Sequence, residues 1–151
     1  MKIIIAGAGI GGLTAALSLH KAGHQVQVFE SSKEIRPLGV GINLLPHSIR
    51  VLTNLGLQEK IASIAVETKD LVYANRYGQV FWDEPRGRFA GYKWPQFSLH
   101  RGNFQMLLFR EVKNVLGVEY SISGMTGWLK RNRFSFKKSI LYIKRFIYSK
   151  V

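Results

Sequence analysis

The chain has 151 residues, 46% of them apolar and 21% charged, with 22 Lys and Arg against 9 Asp and Glu and no cysteine. That length suits one domain of ordinary soluble composition, and the missing thiols exclude disulfides, thiolate metal sites and a cysteine nucleophile. The net charge of +13 is unevenly spread, since residues 1–118 carry fourteen basic and eight acidic groups and residues 119–151 carry eight and one. Nucleic acid is therefore not the expected partner of the first part, which shows no basic face.

Ile3, Ile4, Ile5 and Ala6 form a short β-branched run, the pattern of a strand buried on both faces of a parallel sheet. Gly7, Gly9 and Gly12 follow at G-x-G-x-x-G spacing, and Leu13, Ala16, Leu17 and Leu19 continue at helical spacing up to a stop at Gly23. Val26, Val28 and Phe29 alternate with Gln25 and Gln27 as a second strand that ends at Glu30. The order strand, glycine turn, helix, strand and acid is that of a dinucleotide site. The first glycine serves the tight turn, the second the approach of backbone to a pyrophosphate, and the third the packing of helix on strand. Phosphates are held at the helix N-terminus. Glu30 lies eighteen residues past Gly12, near the interval of about twenty at which an acid accepts from a ribose. Ser31 and Ser32 follow it, with no arginine placed for a ribose phosphate, which favours FAD or NAD over NADP. The residues themselves leave FAD and NAD open.

Residues 31–41 read as a loop broken by Pro37 and two glycines, and Pro46 opens a helix with Ile49, Val51, Leu52 and Leu55 on its apolar face and Gly56 as its stop. Arg36 and Arg50 are surface cations, Arg36 also being a candidate for a pyrophosphate. A short helix is expected over Leu57–Ala65, then a hairpin of Asp70–Tyr77 and Gln79–Asp83 about Gly78, the start of a second layer over a substrate. Glu84–Trp94 reads as a surface loop, Pro95–Leu99 as a strand, and His100–Val115 as a helix with Phe104, Leu107, Leu108 and Val112 on one face. Arg101 opens that helix against the positive end of its dipole, which marks it as a candidate for an external anion or a carbonyl-rich partner. The four histidines at 20, 24, 47 and 100 have no metal-ligand spacing, and no Ser-His-Asp grouping can be placed, so no metal site and no catalytic side chain is expected. Any chemistry would be carried by the cofactor.

GAGIGGLTAALSLHKAG with VFES, then EIRPLGVGINLLPHSIRVLTNLGL, EPRGR and WPQFSLHRGNFQMLL, resembles the N-terminal part of the flavin-dependent aromatic hydroxylases, the single-component class A FAD monooxygenases. The resemblance runs from Met1 to about Leu116. It implies an α/β, Rossmann-like FAD-binding domain carrying the start of a β-rich substrate layer. Gly7, Gly9, Gly11 and Gly12 would wrap the FAD pyrophosphate, with Glu30 and the adjoining Ser31 at the adenosine ribose. Val40 and Gly41 would lie beside the flavin, and Arg101 and Gln105, one turn apart, would contact the ribityl and phosphate region. The implied reaction uses NAD(P)H and oxygen to hydroxylate an aromatic or phenazine-like carboxylate.

The family's later D-G and G-D cofactor motifs are not found here, so the expectation is a truncated cofactor domain over residues 1–120, weak FAD binding and no turnover. Residues 121–151 form a basic tail without a family motif, read either as appended sequence or as a membrane-surface helix through Ile140, Ile143, Phe146 and Ile147. A stand-alone NAD or FAD binding module and a tail-driven interaction protein are the other two readings. With neither a signal sequence nor an apolar run long enough to span a membrane, a cytoplasmic protein is expected.

Overall fold

The computed structural model describes residues 1–30, 32 and 35–117. Ser31 and the whole 121–151 tail, with its proposed amphipathic helix, lie outside the described residues. The expected βαβ unit is present: β1 (Lys2–Ala6), α1 (Ile10–Lys21) and β2 (Gln25–Phe29), with β1 and β2 parallel. Ile3 pairs with Val26 and Ile5 with Val28, so these apolar side chains share one face of the pair. The other face departs from expectation. Ile4 is 37% exposed and β1 alternates between exposed and half-buried positions, because among the described residues only α1 covers this two-stranded sheet and β1 has a single strand neighbour.

The second sheet is antiparallel and ordered β3 (Gly41–Leu44), β7 (Phe97–His100), β4 (Ala65–Glu67). Gly41 thus begins a strand and does not end a loop. The short helix α3 (Gln58–Ala62) stops earlier than expected, and Ala65 pairs with Leu99 as the first residue of β4. A three-residue strand has too little sequence to show its own period; β7 supplies the hydrogen bonds that fix it. Between β3 and α3, α2 (Pro46–Asn54) begins at Pro46, whose missing N–H costs nothing at a helix N-terminus.

The hairpin forms a third sheet of β5 (Asp70–Ala74) and β6 (Val80–Pro85), with Tyr73 opposite Trp82. Its turn is longer than expected. The Asn75 side chain organises it by accepting from the Tyr77 and Gln79 N–H groups. Val72, Tyr73, Phe81 and Trp82 are all exposed, so neither face of the hairpin is covered by the described residues. Glu84–Trp94 is not simply a surface loop either: Glu84 and Pro85 belong to β6, a 3₁₀ turn runs Gly87–Ala90, and Gly87 is buried.

The long helix α4 (Arg101–Leu116) holds these parts together. Its Phe104, Leu108 and Val112, spaced four apart, join Leu13, Ala16 and Leu17 of α1 and Ile49, Leu52 and Ile61 in one core. At its start the His100 side chain accepts from the Asn103 N–H at 3.3 Å, making His100 the N-cap instead of the first helical residue. Gly102 lets Pro37 press against the helix; a Cβ there would lie 2.3 Å from the Pro37 carbonyl carbon. This contact seats the 35–40 segment on α4.

A bidentate pair ties β4 to the 3₁₀ turn. Arg88 donates through Nε to Glu67 Oε1 at 2.8 Å and through Nη2 to Oε2 at 2.5 Å. The hydrogen bond from Arg88 holds the Glu67 carboxyl below its ordinary value of 4.5. A folded value below the unfolded one means that the pair stabilises fully above about pH 4.5 and that this contribution fades as pH falls through the lowered value. In Glu67→Gln the acid limb of a melting temperature against pH profile should flatten; an unchanged limb would assign no stabilisation to the pair, which is solvent-exposed and screened by salt.

Candidate functional site

The glycine turn between β1 and α1 combines two kinds of glycine. Gly7 has φ +103°, a conformation that L side chains resist, and Gly12 packs so closely that an added Cβ would lie 2.0 Å from the Gly7 carbonyl oxygen and 3.3 Å from Ile5 Cγ2. Both are demanded by the fold itself. Gly9 has ordinary extended backbone, and a Cβ at Gly9 or at Gly11 would meet nothing within 4 Å. Nothing in the described chain asks for glycine at these two positions, and both leave open space.

That space faces the N-terminus of α1, which has no side-chain cap and no acidic residue in its first turn. The unpaired N–H groups and positive dipole end are thus left to solvent or to an anion. A cleft of about 510 Å³ opens beside it, between Ile10, Gly11 and Thr14 on one side and Ile42, Asn43 and Leu44 on the other. Two uncrowded glycines at an uncapped helix start fit the diphosphate of a dinucleotide.

Ala8, between the first two glycines, is gripped from both ends. Its N–H donates to Glu30 Oε2 at 2.7 Å, while its carbonyl accepts from Gln105 Nε2 at 3.0 Å. Glu30 also accepts from the Ser32 N–H at 2.8 Å. The acid expected at a ribose therefore also shapes the turn, and Gln105 reaches the same turn from α4. Ala8 itself carried no signal in the sequence, because the groups that matter are its backbone N–H and C=O.

Arg101 and Val40 meet through backbone, the Arg101 N–H donating to the Val40 carbonyl at 2.9 Å. The stem of the Arg101 side chain lies 3.3 Å from where a Cβ on Gly39 would be. Its guanidinium has no hydrogen-bond or ion-pair partner among the described residues and sits at a helix start, where a cation costs ~0.3–1 kcal/mol. Gly7, Gly9, Gly11, Gly12, Glu30 and Gln105 thus form one cluster, and Val40, Gly41 and Arg101 a second, joined by the first turn of α4. Arg36 has partners of its own in the structure.

A second concavity, of about 480 Å³, lies at the other end of the β3–β7 pair, between the start of α2 and the 84–96 segment. It was not foreseen, because Glu84–Trp94 read as a polar surface loop. Gln96, only 5% exposed, lines it. Arg86 lines it too, paired with Glu84 but with its Nε buried and without a partner. A buried unpaired donor costs ~1–3 kcal/mol. Among the described residues no group of three or more His, Asp or Glu is arranged to hold a metal, and no helix is long and apolar enough to cross a membrane.

Comparison with known proteins agrees with this geometry. A family model described as the FAD binding domain matches residues 1–121. The phenazine 1,6-dicarboxylic acid hydroxylase PhzS of Lysobacter antibioticus is 51% identical over 124 residues, which cover 82% of this chain and 30% of that protein. For 3-hydroxybenzoate 6-hydroxylase of Polaromonas naphthalenivorans the identity is 33% over 129 residues, covering 82% and 32%. The tetrameric form of 2-methyl-3-hydroxypyridine-5-carboxylic acid oxygenase superposes with a TM-score of 0.67 at 26% identity, covering 80% of this chain and 30% of that one. A Klebsiella pneumoniae HpxO variant complexed with FAD gives a TM-score of 0.62 at 25% identity, covering 74% and 29%. The chain thus spans about 30% of the length of these relatives. With the family model over four-fifths of its length and the glycine turn, terminal acid and uncapped helix in place, the chain belongs to the FAD-binding domain family of the flavin-dependent aromatic hydroxylases.

Proposed function

We propose that this chain supplies the FAD-holding part of an NAD(P)H- and oxygen-dependent monooxygenase that hydroxylates an aromatic or phenazine-like carboxylate in the cytoplasm. The observation that carries the reading is the uncapped α1 N-terminus behind two glycines, Gly9 and Gly11, whose Cβ positions face open space. The diphosphate would sit against the N–H groups that open α1, and Glu30 would accept from the adenosine ribose with Ser31 next to it. Val40 and Gly41 would border the flavin. Arg101, without a partner of its own, and Gln105 would face the ribityl and phosphate stretch. Bound flavin would supply hydride acceptance and oxygen activation; the residues of this chain bind and orient it. The cofactor unit is assigned to residues 1–120 and the basic segment 121–151 is assigned no part in it. Its ligands are small molecules and not nucleic acid.

Titration of the purified chain with FAD, followed by flavin fluorescence, tests this. Saturable binding is expected, and Gly9→Val should weaken it by about tenfold or more by filling the space for the diphosphate. The same variant should melt as the parent does, since its backbone is extended and its Cβ uncrowded. A folded chain without saturable FAD binding would remove the proposal.

A further inference from the structure

Strand β1 ends the first sheet with one side unused. The Gly7 N–H donates to the Phe29 carbonyl and the Gln25 N–H to the Met1 carbonyl. In a parallel ladder this turns the backbone groups of the odd residues of β1 toward β2 and those of Lys2, Ile4 and Ala6 away from it. Among the described residues no strand receives the N–H and C=O groups of these three. All three residues are exposed, Ile4 at 37%. An open edge of β-branched residues is a template for a further strand.

We propose that β1 pairs with β1 of a second copy of this chain, antiparallel and centred on Ile4, so that two β1–β2 pairs become one four-stranded sheet. The run Lys2–Ala6 is complementary to itself in this register: Ile4 lies opposite its own copy, Ile3 opposite Ile5, and Lys2 opposite Ala6. The even residues then form the hydrogen-bonded pairs, each pair exchanging two bonds, and every free backbone group of β1 is used. Centring on Ile3 would leave Ala6 with no strand residue opposite it, and centring on Ile5 would leave Lys2 so. A lysine on a sheet edge ordinarily discourages pairing; here it stands at the strand's end and meets Ala6, so no like charges are opposed. Ile3 and Ile5 of the two copies add β-branched contacts across the strands, and the two Ile4 side chains cover one another on the opposite face. The two-fold axis stands normal to the sheet, which keeps both α1 helices on one face and sends the two glycine turns to opposite ends of the strand pair. The inference is independent of the proposed function.

Sedimentation equilibrium of the full chain should show a monomer–dimer equilibrium. Amide hydrogen exchange of the unaltered chain should slow at Ile4 and Ala6 as concentration rises, while the Ile3 and Ile5 amides, bonded to β2, stay protected throughout. Ile4→Lys sets two ammonium groups opposite each other at the centre of the pairing and should raise the dimer dissociation constant about fivefold or more. Ile4→Pro removes the central N–H, which β2 does not use, and should act in the same direction. As the chain has no cysteine, Ile4→Cys carries a single thiol, which a short bismaleimide should join across the axis. Gln27→Cys, at an exposed position of β2, should stay unjoined. A chain still monomeric at about 0.1 mM, a dimer indifferent to both Ile4→Lys and Ile4→Pro, Ile4 exchange that ignores concentration, or Gln27→Cys coupling as readily as Ile4→Cys would each overturn the inference. The exchange measurement decides it even where a variant fails to fold.

Discussion

Gly12→Ala is expected to lower the melting temperature by roughly 10 °C or more, or to leave the chain without a cooperative transition. An alanine Cβ would be 2.0 Å from the Gly7 carbonyl oxygen and 3.2 Å from its carbonyl carbon. Neither is the movable end of a side chain; both belong to the turn that links β1 to α1. Relief requires the helix to lift from the strand or Gly7 to leave its φ of +103°. Overpacking of this kind costs about 3 kcal/mol at the upper end of its usual range and more where backbone must move. In a domain of this size each kcal/mol is worth several degrees, and whole-domain stabilities are only about 5–15 kcal/mol. Thermal melts followed by circular dichroism decide it. A Gly12→Ala chain that melts within a few degrees of the parent would show that the turn yields, and that Gly12 is not among the glycines the fold demands.

Glu30→Ala should damage both stability and cofactor affinity. It removes the acceptor of the Ala8 N–H, whose residue is only 3% exposed, and of the Ser32 N–H. Hydrogen bonds to a charged group contribute about 1.5–3 kcal/mol each, and the Ala8 donor, left in a buried position, carries most of the loss. FAD affinity should fall by about tenfold to a hundredfold, since the ribose partner and the shape of the turn go together. Glu30→Gln keeps an acceptor oxygen and should lie between the two. Gln105→Leu acts on the other end of the same residue, so a double-mutant cycle with Glu30→Ala should be non-additive by about 0.5 kcal/mol or more. Equal melting temperatures for parent and Glu30→Ala would mean that the 2.7 Å contact to Ala8 contributes nothing measurable.

How much of this was legible in the sequence differs from element to element. The βαβ unit was, because a strand of period two, a helix of period 3.6 and glycines at fixed offsets each leave a pattern within a few residues. The separation of the glycines into two that the fold needs and two that it does not was invisible, since it depends on what stands within 4 Å of a missing Cβ. Strand β4 was missed, its first residue Ala65 being read as the end of a helix, because Ala65–Glu67 contains no repeat and its hydrogen bonds come from Phe97–Leu99 about thirty residues on. Two-sided burial of β1 was inferred from Ile3–Ile5, but side-chain type reports what a strand tolerates, not which layers cover it. The cavity at Gln96 escaped because EPRGR and its neighbours look solvated; burial of Gly87 and Gln96 turns that polar run into a wall. Arg101 was singled out from electrostatics alone, and its backbone contact to Val40 places it beside the segment the resemblance pointed to.

The double grip on Ala8 bears on the order of events during synthesis. Glu30 is 22 residues away along the chain and Gln105 is 97. Local pairings form early and distant ones wait for the intervening chain. A nascent chain can complete β1, α1 and β2, with the Ala8 N–H already anchored, long before α4 has left the ribosome. Only when α4 docks on α1 does the Ala8 carbonyl gain its donor and the turn its final outline. The Ala8 turn, and with it the proposed diphosphate site, is thereby completed only once the hundredth residue or so has arrived.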